Sequence, residues 1–320
     1  MSFKDIKGQD RVVAILREAI DNNSVAKAYI FSGPEGVGKK QVALALAAAL
    51  NCEEARNDGC GKCASCRKIK NNQHPDVLFI EDKNNSLKIE DIRQMQRRIN
   101  LKAYEGRKKV CILDNAHNLT AESSNALLKT LEEPPADSVI ILVSSKPSLL
   151  FKTILSRCRV LRFYPLARKE LEGVFRSDYG LDSSRAHFLS YFSEGRLGDA
   201  LRLKDTGFYQ EKNKVIDEFA LGRQAGFGEP GAAQTREGLR RDVNILMSWF
   251  RDICLLKIGL PQAELINFDR RHELAKLADK YELSELNGIF DFLSNAILHL
   301  EQNVNVRLLV SGLKAELWKR

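Results

Sequence analysis

Residues 33–40 read Gly-Pro-Glu-Gly-Val-Gly-Lys-Lys, a phosphate-binding loop of the form G-x-x-x-x-G-K-[S/T] that is intact up to its last position. In such a loop Gly33, Gly36 and Gly38 let backbone N–H groups wrap phosphates, and Lys39 meets the outer phosphates. The final hydroxyl holds Mg²⁺. Here Lys40 stands in its place, and an ammonium donates hydrogen bonds but cannot ligate a cation. The flanks fix the fold around the loop. Ala28–Phe31 is an apolar run that reads as a buried strand, and the Ala- and Leu-rich 41–50 segment reads as a helix.

Strands and helices continue to alternate. Val77–Ile80, Lys109–Leu113, Val139–Val143 and Val160–Phe163 read as strands. Residues 89–101 read as a helix, and so does Asn125–Glu133, which stops at Pro134-Pro135. This alternation predicts an α/β domain, a parallel sheet with helices on both faces. The strand at 109–113 ends in Asp114-Asn115. A nucleotide-hydrolysing site of this type needs Asp followed by Glu, the second carboxylate polarising the attacking water. Asn115 has none. His117 reads as a surface or capping histidine rather than a substitute base.

Four of the seven cysteines are bunched: Cys52, then Cys60, Cys63 and Cys66 at two-residue intervals. Thiolates at that spacing can close a tetrahedron around Zn²⁺, and four sulfurs leave no position for water, so the site is expected to be structural. Cys111, Cys158 and Cys254 read as isolated thiols.

The 320 residues are 44% hydrophobic, enough for two or three domains, and carry a formal charge of +8, which suits a polyanionic partner. Arg93, Arg97 and Arg98 on one predicted helix, and Arg107-Lys108-Lys109 before a strand, are either a solvated face or phosphate contacts. No run of about 18 apolar residues spans a bilayer, and the start, MSFKDIKGQD, lacks the apolar stretch of a signal peptide. The expected location is the cytoplasm, without a membrane. From Leu166 to Leu203 the pattern is a small helical lid, and from Gly207 onward all-helical. That region is interrupted by Gly222, Gly226, Gly228, Pro230 and Gly231. Leu274, Leu277, Ala278 and Tyr281 share one helix face, and Val306, Leu309, Val310, Leu313 and Leu317 another.

Gly8-Gln9, AYIFSGPEGVGK, the cysteine cluster, NALLKTLEEPP and Thr153–Cys158 (TILSRC) together resemble the clamp-loader group of AAA+ ATPases of bacterial DNA polymerase III. The resemblance is dense over the first two-thirds and loose beyond. It implies an AAA+ domain at 1–164 with an inserted zinc module at about 52–66, a lid at 165–206, and an oligomerising collar at 207–320. Motor members of the group, gamma and tau, carry Thr after the loop lysine, Asp-Glu after the second strand motif, and an arginine before Asp-Ala-Leu. Here those places hold Lys40, Asn115 and Gly198, with Arg196 two positions off. The departures fit the non-hydrolysing, delta-prime type.

The resemblance further implies that Arg157 of Ser156-Arg157-Cys158 projects as an arginine finger into a neighbour's ATP site. The implied partners are gamma/tau and delta subunits in a hetero-pentamer that loads a sliding clamp on primed DNA. Mg²⁺ is not expected. The glycines and Lys39 could still cradle a phosphate, and the sequence leaves open whether ATP binds without turnover. Two other readings stay open: an active ATPase motor using Lys39 and Asp114, and a zinc-containing nucleic-acid-binding module with a vestigial loop.

Overall fold

In the computed structural model, the described residues are 2–55, 57–82, 86–222, 235–260, 265–302 and 304–318. Gly226, Gly228, Pro230 and Gly231 lie outside them. The chain divides into two compact units, one of Met1–Leu166 with Gly195–Asp199, the other of Ala167–Glu194 with Ala200–Arg320. The lid and collar segments read from the sequence both fall mainly in the second unit.

The first unit contains α1 (Asp10–Asp21), β1 (Ala28–Ser32), α2 (Lys39–Asn51), α3 (Ala64–Lys70), β2 (Val77–Ile80) and α4 (Ile89–Ile99). These are followed by β3 (Lys109–Leu113), α5 (Ala121–Glu132), β4 (Ser138–Ser144), α6 (Lys152–Leu155) and β5 (Arg159–Arg162). The five strands form one sheet in the order β2-β3-β4-β1-β5, and every pairing is parallel. The α/β expectation therefore holds.

The period of two along each strand sorts side chains onto two faces. Tyr29, Phe31, Val110, Ile112, Ile141 and Val143 pack with α1 and α2. Ala28, Ile30, Cys111, Leu113, Ile140 and Leu142 pack with α4 and α5. Both faces are covered, so β1 and β4 are buried along their whole length and read as continuous apolar runs.

Boundaries differ where side chains cap helices. The helix read over 89–101 ends at Ile99, because the Asn100 side-chain amide donates to the Gln96 carbonyl (2.9 Å) and closes the last turn. The NALLKTLEE helix starts four residues earlier than read. Thr120 accepts from the Ser123 N–H and caps it there, while the prolines end it as expected.

The second unit is helical: α7 (Arg168–Tyr179), α8 (Ser183–Phe192), α9 (Leu197–Asp205, whose first turn belongs to the first unit) and α10 (Phe208–Val215). Then come α11 (Arg236–Lys257), α12 (Arg271–Lys280), α13 (Leu283–Glu301) and α14 (Val306–Leu317). Leu274 and Ala278, and Leu313 and Leu317, are the buried members of the two stripes read from sequence, and Tyr281 is buried as well. Lys212 is wholly buried in this unit. Asp269 (2.6 Å) and the faces of Tyr209 and Phe188 compensate its charge. No helix among the described residues is long and apolar enough to cross a membrane.

Candidate functional site

The phosphate-binding loop leaves β1 and enters α2, the strand–loop–helix order its sequence requires. Gly33 is confined by its neighbour, since a Cβ there would stand 2.4 Å from the Phe163 carbonyl oxygen. Gly38 caps α2 at φ +95°, a conformation L side chains rarely adopt.

Lys39 is buried, and its ammonium turns back onto its own loop, donating to the carbonyls of Gly33 (2.6 Å) and Pro34. Burial pulls its pKa down to about 8, against the opposing charges of Asp114, Glu35 and Asp199. Lys40 is held elsewhere. Its ammonium pairs with Glu81 just after β2 (2.5 Å) and lies 4.0 Å from the centre of the Phe79 ring.

At the end of β3, burial raises the Asp114 pKa, partly offset by the Asn115 N–H and Lys40. Asn115 has left-handed backbone (φ 51°), and its side-chain amide donates to Asp82 (2.9 Å). Asn118 donates to the other Asp82 oxygen (2.7 Å). Asn115 thus anchors a turn. His117 is half-buried beside Ser144 (3.4 Å to Oγ), and burial, then Lys146, lowers its pKa.

The 195–199 segment closes on the loop. The Gly198 N–H donates to the Gly36 carbonyl (2.7 Å). A Cβ on Gly198 would stand 3.0–3.1 Å from Gly36 backbone atoms, and one on Gly36 would stand 2.8 Å from the Asp199 carboxylate. A side chain at position 198 would therefore press on the loop backbone, which would have to give by a few tenths of an ångström. Arg196 pairs with Asp199 (3.1 Å).

Arg157 follows the single-turn α6. Its guanidinium donates to Glu132 at the end of α5 (2.6 Å) and to the Thr153 carbonyl (2.9 Å), with Ser156 Oγ at 3.4 Å. The side chain keeps 34% exposure and Glu132 50%. An ion pair so exposed is worth about 0–1 kcal/mol, so little holds the arginine to this position. Burial raises the pKa of neighbouring Cys158 to about 12, leaving it an inert thiol.

The second centre lies between α2 and β2, where the sulfurs of Cys52, Cys60, Cys63 and Cys66 are all within 4.8 Å of one another. Tetrahedral Zn²⁺ with Zn–S of about 2.3 Å places sulfurs roughly 3.8 Å apart, so the cluster fits the ion with a contraction under about 1 Å. Backbone donors point at three of the sulfurs: Ala55 and Cys60 N–H at Cys52 (3.2 and 3.3 Å), Lys62 and Cys63 N–H at Cys60 (3.4 and 3.2 Å), and Cys66 N–H at Cys63 (3.4 Å). Such N–H···S bonds favour thiolates. Burial opposes ionisation of Cys52, but the N–H donors outweigh it and bring the thiol to about 7.

The module is tied into the domain at two points. Asp58 accepts from Ser2 Oγ (2.7 Å), Phe3 N–H (2.8 Å) and Arg17 (3.1 Å), and Arg107 donates to the Cys52 carbonyl. Lys109 likewise donates to the Arg98 carbonyl (2.7 Å), so Arg107 and Lys109 serve the architecture, whereas Lys108 makes an exposed pair with Asp137 (2.8 Å) and stays at the surface. Arg93 and Arg97 remain exposed on α4.

Sequence reading missed Glu81, Asp82, Asp199 and Glu132, the carboxylates that engage or face the predicted site residues. Glu81 and Asp82 did carry a signal. They follow a parallel strand directly, at the carboxyl edge where α/β proteins gather their sites.

A family model described as "DNA polymerase III, delta subunit" matches residues 8–167, and one described as "DNA polymerase III, delta subunit, C terminal" matches 208–313. The chain is 36% identical to DNA polymerase III subunit delta' of Bacillus subtilis, covering 98% of this chain and 97% of that one. It is 38% identical to DNA polymerase III subunit tau of Salmonella typhimurium over 212 residues, 64% of this chain but 33% of tau. The match thus spans about a third of tau. Among solved structures, a DNA polymerase III gamma subunit-related protein of Thermotoga maritima superposes with a TM-score of 0.43 at 16% identity, covering 96% of this chain and 99% of that one.

Proposed function

Because the chain belongs to the DNA polymerase III delta subunit family and matches a delta' subunit over nearly all its length, we propose that it is a non-hydrolysing, delta-prime-type subunit of the clamp loader. In this reading it sits beside gamma/tau and delta subunits in a cytoplasmic hetero-pentamer that places a sliding clamp on primed DNA. The observation that carries the non-hydrolysing part is Lys40. The place of the Mg²⁺-binding hydroxyl holds an ammonium tied to Glu81, and Asn115, committed to Asp82, offers no carboxylate to a water. The buried Lys39 and the carboxylate of Asp199 facing Gly36 further disfavour an incoming triphosphate.

The outward contribution is Arg157. Its pairing with Glu132 is exposed and weak, so a neighbour's developing phosphoryl charge can draw the guanidinium away, and its fixed charge and fork of donors suit that role. Ser156 positions the finger at the end of α6. Zn²⁺, held by Cys52, Cys60, Cys63 and Cys66, contributes structure alone: no coordination position stays open for chemistry. Within the helical unit, 165–206 acts as the lid and 207–320 as the collar that joins the ring.

The test uses the reconstituted complex of this chain with its gamma/tau and delta partners. Arg157→Ala should lower clamp- and DNA-stimulated ATPase, Arg157→Lys should restore little of it, and the isolated chain should turn over ATP at background. An unchanged rate with Arg157→Ala ends the trans-donation proposal, and brisk turnover by the isolated chain moves the reading to a motor subunit.

A further inference from the structure

The first unit has an unsealed sheet edge on the far side from β2. β5 has β1 as its sole strand neighbour among the described residues. Its main-chain direction follows from one bond: the Phe163 N–H donates to the Ser32 carbonyl of β1. In a parallel strand the N–H and C=O of one residue face the same neighbour and alternate residues face opposite sides. Arg159, Leu161 and Phe163 therefore address β1, and Val160 and Arg162 address the open side.

Just past the strand, the Tyr164 carbonyl accepts from the buried Gln9 side chain (2.7 Å). Along this edge runs a groove of about 980 Å³ whose lining includes Val12, Ile15 and Leu161, with Arg11 and Arg162 at its rim. Val160 is 41% and Tyr164 60% exposed.

We infer that this edge receives an acidic, extended segment of another protein, which adds to the sheet as a sixth strand beside β5. Main-chain bonds to Val160 and Arg162 supply the pairing, the apolar floor takes alternate side chains, and carboxylates meet the arginines. Charge decides the occupant. The side chains of Arg11 and Arg162 make no hydrogen bond or ion pair among the described residues, and Arg159 is a second cation on β5 itself. A second copy of this edge would oppose like charges, which is how sheet edges are kept from pairing with themselves. A nucleic acid would meet an apolar floor with too few cations to follow its phosphates. An acidic strand with alternating apolar residues satisfies both features.

The experiment uses the full chain and a fluorescein-labelled ten-residue probe of alternating Glu and Val, read by fluorescence polarisation. Saturable binding is expected, weakened at least tenfold by Arg162→Glu and by Val160→Pro. Proline at that position removes an outward N–H without touching the β1 pairing. Circular dichroism checks that both variants fold, and if Val160→Pro does not, amide exchange on the unaltered chain replaces it. The Val160 and Arg162 amides should exchange at least fivefold more slowly with probe bound.

Absence of binding, or exchange unaffected by bound probe, overturns the inference. So does equal binding of an alternating Gln–Val peptide, or stronger binding of a ten-nucleotide oligodeoxythymidylate lost with the same arginine. None of these outcomes depends on the ATPase of the assembled complex.

Discussion

Stripping the four-cysteine cluster of its metal should cost the first unit about 3 kcal/mol. The figure comes from the topology. Cys52 to Cys66 closes a loop of 15 residues, and a covalent cross-link over such a loop stabilises by about 3 kcal/mol. Zinc bonding four thiolates imposes an equivalent constraint. The loss does not stay local, because Cys52, Cys63 and Cys66 are buried in the same cluster as the α2 alanines and leucines, Ile69 and Phe31. For a unit of this size, 1 kcal/mol shifts the melting temperature by about 2–4 °C, so removal should lower it by about 6–12 °C.

The assay is differential scanning calorimetry of the reduced chain before and after a strong chelator, with metal content measured by mass spectrometry on the same samples. Cys66→Ser should reproduce the lowered transition, and chelation should then add nothing. A chain that carries no zinc at one-to-one stoichiometry after expression with the metal, and that melts at the same temperature with and without chelator, refutes the structural zinc site.

Three further outcomes follow from single residues. Asp76, whose side chain is 1% exposed, accepts from the N–H groups of Tyr104, Glu105 and Gly106. Asp76→Ala strands these donors and should cost about 3 kcal/mol in chemical denaturation, at about 1 kcal/mol each. Burial would raise the Asp76 pKa, but those donors and Lys109 outweigh it and hold it below the usual range. A depressed carboxylate stabilises fully above the unfolded value of about 3.9 and loses that contribution as pH falls through the native one. The difference between the parent and Asp76→Ala should therefore be constant near pH 6 and shrink below about pH 4. Gly195→Ala should destabilise by about 2–4 kcal/mol, because φ is +81° and the new Cβ would stand 2.0 Å from the Leu166 carbonyl oxygen; thermal melting reads it. Lys40→Thr alone should leave ATP turnover at background, since Asn115 still lacks a carboxylate; measurable steady-state turnover by this variant would show that the hydroxyl was the missing part.

The sequence by itself determined the parallel α/β sheet, the order of its elements, the phosphate-binding loop with Lys40 in the place of its hydroxyl, Asn115 after the strand 109–113, and the cysteine set. These are local or periodic properties. Strand runs such as Ala28–Phe31 and KVCIL carry their burial in their own composition, a G-x-x-x-x-G-K loop needs its glycines in sequence, and Cys60, Cys63 and Cys66 lie close enough in the chain to meet without help. What only the tertiary structure decided are partnerships between residues far apart in sequence. Glu81 takes Lys40, Asp82 takes Asn115, Glu132 takes Arg157, Gly198 lies on Gly36, and Arg107 serves a cysteine carbonyl rather than a phosphate. A charged side chain shows in sequence only that it needs a partner or water. Which one it obtains depends on the packing of the two helical layers against the sheet, because that packing sets which distant carboxylates and carbonyls come within hydrogen-bond reach.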